Sequence, residues 1–113
     1  MDSQLLWGAL EMLILDVLSR APNYGYQIAQ TVFLESGRTF DLKEGSLYPA
    51  LHRLERQRLL ESYWTDSPEG RRRKYYRITA LGQESLAAKR DEWSKFSAAV
   101  QGVLRGGAAY GLA

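Results

Sequence analysis

The chain has 113 residues, 45% hydrophobic and 25% charged, which fits one soluble globular domain, excludes a disordered chain and is small for an independent enzyme. A formal net charge of +2 excludes a polycation, so recognition of an anionic partner must rest on where the cations sit. Cysteine is absent, which removes disulfides and thiolate metal sites and fits a reducing cytoplasm.

Ser3 is a candidate cap for a first helix running to about Arg20, where Pro22 and Asn23 end it. Leu5, Leu6, Ala9, Leu10, Leu13 and Val17 make one apolar stripe, and Met12, Leu15 and Leu18 extend a second. A helix apolar on two sides is buried on two sides, and in so small a domain the second cover is expected to be another subunit. Trp7 beside Gly8 suggests a close contact there. Glu11 and Asp16 interrupt the run and no basic leader precedes it, so neither export nor membrane spanning fits.

A second helix is predicted from Tyr24 to Ser36, with Ile28, Ala29, Val32 and Phe33 inward and Gly37 as its end signal. Tyr24, Tyr26 and Gln27 at its amino end suit backbone phosphates; plain packing is the equal alternative for each tyrosine. In the connection that follows, Phe40 and Leu42 are expected to plug the core.

The stretch Glu44 to Leu60, EGSLYPALHRLERQRLL, organises the chain. Leu47, Ala50, Leu51 and Leu54 recur at helical spacing as a buried stripe. Gly45, Pro49, His52 and Arg56 share the opposite face, flanked by Tyr48 and Arg53. That face has donors and flat rings with no carboxylate at its centre, which suits the major groove of DNA; a solvated face is the bland reading. Pro49 would break a helix interior, so either Ser46 is the N-cap or a short turn starts at Lys43 with Gly45 relieving the clash. Both put an exposed helix amino end where phosphate is favoured.

The periodicity then turns to alternation. Leu60, Ser62 and Trp64 alternate with Glu61 and Tyr63, TDSPEG (residues 65–70) is turn chemistry, and KYYRI (residues 74–78) is a second strand. The tip and returning arm carry Arg71, Arg72, Arg73 and Lys74. Alternation stops all four from facing one way, so Arg72 or Lys74 is expected to be partly structural. Helix, helix, helix, hairpin is the winged-helix plan: mainly α with a small β-hairpin, its basic residues placed where a wing meets DNA.

Thr79 can cap a last helix reaching about Leu104. Leu86, Trp93 and Val100 are spaced by heptads, with Phe96 and Val103 at intervening seam positions. This stripe and the spare face of the first helix together predict a homodimer, with Leu5, Leu6, Leu10 and Leu13 meeting it. The expected division is a winged helix-turn-helix over 1–79, a dimerisation helix over 80–105, and a flexible tail over 106–113, where glycines are frequent.

GSLYPALHRLE, the basic hairpin RRRKYYRIT followed by a helix, and the opening LLWGALEMLILDVL together resemble the PadR family of bacterial transcriptional regulators, in unbroken order from about Leu5 to about Val103. The resemblance implies an amino-terminal winged helix that binds double-stranded DNA and a carboxy-terminal dimerisation helix. It also implies a repressor released by small molecules or other signals. The single short closing helix resembles the smaller PadR subgroup. In some of its members a tryptophan on the last helix and its symmetry mate sandwich flat aromatic ligands, and Trp93, followed by Ser94 and Lys95, matches that position. By that resemblance Leu6, Ala9, Leu10 and Phe96 would line the slot, with Ser97 or Arg90 supplying polarity. Ser97 and Arg90 depart from the drug-binding pattern, which has an acid and an aromatic there.

Two other classes compete with this reading. Catalysis is disfavoured: His52 is the only histidine, no glycine-rich loop precedes a helix, and the adjacent Asp91 and Glu92 point in different directions. One histidine among scattered carboxylates makes no specific metal site, and no cofactor is implied. A winged helix used as a protein-interaction module, its basic wing meeting an acidic partner without sequence-specific DNA binding, is the alternative.

Overall fold

The computed structural model describes residues 3–107; the cap expected of the Ser3 side chain and the tail from 108 onward, Gly111 included, lie outside the described residues. The elements run α1 (Ser3–Arg20), β1 (Asn23–Tyr24), α2 (Gly25–Glu35), α3 (Glu44–Arg56), β2 (Leu60–Asp66), β3 (Arg72–Ile78) and α4 (Ala80–Leu104). No helix is long and apolar enough to cross a membrane.

Helix α1 is central because it is apolar on two sides. Leu10, Ile14, Leu15, Val17 and Leu18 are all buried in the chain's own core. Its amino end differs: Leu5 is 67% exposed and Trp7 48%. A Cβ built on Gly8 would meet open space, so the close contact suggested by Trp7–Gly8 is not made within the chain. Ile28 and Val32 of α2 and Leu42 of the connection join the core, with Phe40 packed against it. The four apolar positions expected of α3, Leu47, Ala50, Leu51 and Leu54, are buried as its 3.6-residue period requires.

The start of α3 resolves the proline problem through the earlier turn. Lys43 is the N-cap residue, in extended conformation, and Ser46 and Leu47 already donate backbone bonds to its carbonyl at 3.0 and 2.9 Å. Ser46 is therefore inside the helix and is not the cap. Pro49 also lies inside it, and the residue one turn before, where its ring crowds the carbonyl, is Gly45.

The hairpin is longer than its alternation suggested. The β2–β3 ladder runs from Leu60 opposite Ile78 to Asp66 opposite Arg72, leaving only residues 67–71 as the turn. Ser67 closes it: its N–H donates to the Arg71 carbonyl at 2.7 Å and its hydroxyl accepts from the Arg71 N–H at 3.1 Å. A third strand went unseen in the sequence. Asn23 and Tyr24 pair with Tyr76 and Tyr75, giving the order β1-β3-β2. Two residues are too few for an alternating pattern to register.

Thr79 caps α4 as expected, its hydroxyl accepting from the Gly82 N–H at 3.0 Å. The first turns of α4 bury Leu86 in the core, and Arg90 pairs with Asp16 of α1. Beyond Arg90 the apolar side chains are open: Trp93, Phe96, Val100 and Val103 are all exposed.

Candidate nucleic-acid interface

Two elements make the candidate surface, the outer face of α3 and the wing of β2 and β3. On α3, Pro49, His52 and Arg56 are exposed and Ser46 half-buried, sharing one side because 3.6 residues close a turn. Leu47, Ala50, Leu51 and Leu54 anchor the other side, so the outer face is presented on a rigid body.

The flanking residues are engaged within the fold. Arg53 turns toward α1, where its Nε donates to Glu11 Oε2 at 3.1 Å. Tyr48 turns into the seam with α2: a Cβ on Gly25 would lie 2.5 Å from its hydroxyl oxygen. A larger residue at Gly25 would have to push the Tyr48 ring aside. Tyr24 belongs to β1, with Tyr75 at 5.5 Å and the Arg73 guanidinium 4.3 Å from its ring centroid. Its neighbour Tyr26 is 67% exposed, and Gln27 is half-buried.

Of the two wing cations expected to be partly structural, Lys74 is the one engaged within the fold, and Arg73 joins it. Lys74 is structural, pairing with Glu55 of α3 at 3.9 Å and lying 5.5 Å from the Tyr76 ring centroid. Arg73 is structural too: it packs on Tyr24 and pairs with Glu69 at 3.3 Å. Arg72 is exposed, with its guanidinium 5.5 Å from the Trp64 ring centroid, and Arg71 is exposed at the turn. Among the described residues Arg56, Arg71 and Arg72 form no ion pair. On this surface they are cations with charge to spare.

Glu55 joins helix to wing. It accepts from the Ser62 hydroxyl of β2 while pairing with Lys74 of β3. Its carboxylate adds to burial in pushing the Tyr76 phenol up from its ordinary pKa. At the turn, hydrogen bonding from Ser67 holds the Glu69 carboxyl below its usual range, with its own backbone and Arg73 contributing. Sequence reasoning gave Glu11, Glu55 and Ser67 no part in the site. Only Glu11 left a signal, as an acid inside an apolar run.

The residues expected at a ligand slot are placed on two elements. Leu6 and Leu10 line an open cleft of about 340 Å³ with Trp7, Thr39, Asp41, Leu42, Lys43 and Ser46. Trp93, Phe96 and Ser97 are not among its lining. Ala9 is half-buried on α1, while Trp93 and Phe96 lie 6.1 Å apart, centroid to centroid, on the open part of α4. Of the residues expected at a subunit contact, Leu10 and Leu86 are 1% and 2% exposed within the single chain, so they are consumed by its own core.

A helix with an open, carboxylate-free outer face beside a basic hairpin defines the class, a winged-helix transcription regulator that binds DNA. The chain belongs to the PadR-like family of transcriptional regulators, whose sequence pattern matches residues 14–88. It is a regulator and not an enzyme. An uncharacterised protein of Lysinibacillus sphaericus is 37% identical over 93 residues, covering 82% of this chain and 85% of that one. A PadR-like transcriptional regulator of Bacillus cereus matches with a TM-score of 0.78 and 38% identity, covering 89% of this chain and 96% of that one. A transcriptional regulator of Clostridium thermocellum matches with a TM-score of 0.80 and 30% identity, over 87% and 95% of the two chains.

Proposed function

We propose that the chain is a repressor that binds a two-fold related operator as a homodimer. The observation that carries this reading is the placement of unpaired Arg56, Arg71 and Arg72 on an exposed helix face and the wing beside it. The contact set is then Tyr26, Gln27, Ser46, Pro49, His52, Arg56, Arg71 and Arg72, with Arg53, Arg73 and Lys74 holding the surface together. Half-sites would be spaced by about 34–36 Å or a multiple, one helical turn of the duplex. The protein acts in the cytoplasm, where the operator is.

The two cation groups carry different signatures. Arg56→Ala is expected to weaken operator binding by about 1–3 kcal/mol and relax preference at one base, as removing a guanine-reading side chain does. Arg71→Ala with Arg72→Ala is expected to keep base preference but lower the salt-dependence slope by about 0.9 for each phosphate no longer neutralised. Footprints and salt titrations of both variants check this. Parent-like behaviour in both removes the DNA-binding assignment of this surface and leaves a protein-interaction module as the better reading.

Release is assigned to a small flat aromatic effector held between Trp93 and its symmetry mate, lined by Phe96, Ser97, Leu6 and Ala9. The support is surplus ring area left open on α4, where leucine would fill an ordinary seam. Such a ligand shifts operator affinity by its differential affinity for the two states and no more. Titration with planar aromatics is expected to quench Trp93 fluorescence, with a Trp93→Ala control silent. No Trp93-dependent quenching by any compound ends the effector reading and leaves the regulator standing.

A further inference from the structure

One exposed ring beside the interface has no part in the contact set above. The β2–β3 register sets Ser62 opposite Tyr76, Trp64 opposite Lys74 and Asp66 opposite Arg72. Alternate residues along a strand point the same way, so these side chains share one sheet face. Glu55 of α3 grips that face from its inner end, through Ser62 and Lys74. The next residue outward is Trp64, 57% exposed, with the Arg72 guanidinium 5.5 Å from its ring centroid.

An indole left this open keeps a large apolar area in water, and Arg72 has no carboxylate partner among the described residues. Together they form a flat apolar plate beside an unneutralised cation, on the sheet face that Glu55 grips further in through Ser62 and Lys74. The backbone of a duplex offers the matching pair, the apolar face of a deoxyribose beside an anionic phosphate. An acidic peptide would satisfy the cation and leave the plate without a flat apolar counterpart.

We propose that Trp64 and Arg72 form a composite contact to duplex DNA, the indole packing on a deoxyribose at the minor-groove edge and the guanidinium taking the adjacent phosphate. The proposal rests on the DNA-binding reading and extends it to an uncharged residue. Because the indole carries no charge, its share of affinity is independent of salt, while that of Arg72 falls as salt rises.

The test labels the protein with fluorotryptophan. Its three tryptophans give fluorine resonances, and that of Trp64 is assigned by its disappearance in Trp64→Phe. A short mixed-sequence duplex at low salt is expected to shift the Trp64 resonance to saturation, and polyglutamate is expected to leave it in place. Trp64→Ala is expected to weaken duplex binding by about tenfold, at the lower edge of what covering a large apolar side chain contributes, and Trp64→Phe to recover most of that deficit. The salt slope stays at the parent value in Trp64→Ala and falls by about 0.9 in Arg72→Ala. Duplex binding with an unmoved Trp64 resonance, or with parent affinity in Trp64→Ala, overturns the proposal and leaves the regulator reading intact. A Trp64→Ala protein whose salt slope also falls shows that the ring only supports the wing, which overturns direct contact. A shift with polyglutamate alone assigns the plate to an acidic protein. Failure to bind any duplex removes both readings.

Discussion

Phe96→Asp combined with Val100→Asp is expected to yield monomers or insoluble protein. Trp93, Phe96, Val100 and Val103 lie exposed along α4, and Leu5 and Trp7 are open at the start of α1. Covering each large side chain contributes about 1.5–3 kcal/mol before ordering costs, so two or three per subunit carry a large share of an association free energy. Two carboxylates in that seam would be desolvated without partners, which a dimer cannot tolerate. Sedimentation of parent and variant measures the effect directly. A variant that sediments as an unchanged dimer overturns the interface, and operator affinity would then have to be explained without it.

Gly82→Ala is expected to destabilise the chain by about 1–3 kcal/mol, the usual cost of overfilling a packed site. A Cβ at Gly82 would lie 2.2 Å from the Leu59 carbonyl oxygen and 2.6 Å from Ile78 Cγ1. The first of these is backbone, which cannot step aside as a flexible side-chain end would. The crowding falls where three elements meet: Thr79 caps α4, accepts from Gly82, and donates to the Arg58 carbonyl at 2.7 Å just before β2. A thermal melt is the measurement, with a shift of about 4–8 °C per kcal/mol for a domain of this size. A melting temperature equal to the parent's shows that the junction has room and that the close approach is not required.

Much of the architecture was legible from period alone. The 3.6-residue spacing of Leu47, Ala50, Leu51 and Leu54 identified the buried side of α3, and thereby its open side, because burial on a helix follows residue spacing. Thr79 declared the start of α4, since a hydroxyl at that position has a local backbone N–H to accept from. The heptad spacing of Trp93 and Val100 pointed to an apolar stripe, and among the described residues both stay open.

What the residues alone left open was how each functional side chain is employed. Arg53, Arg56 and Arg72 are indistinguishable as sequence; the fold brings Glu11 to the first, from 42 residues away, and leaves the other two unpaired. The four consecutive wing cations divide two and two because the register of β3 sets Arg73 beside Tyr24 and Lys74 beside Glu55, partners supplied by β1 and α3. Leu10 and Leu86 read as seam positions by spacing, yet packing of the first turns of α4 on the core buries both within the chain. Local propensity and period act over a few residues and therefore show directly in the sequence, whereas pairing and burial are settled by segments far apart in the chain that meet only after folding.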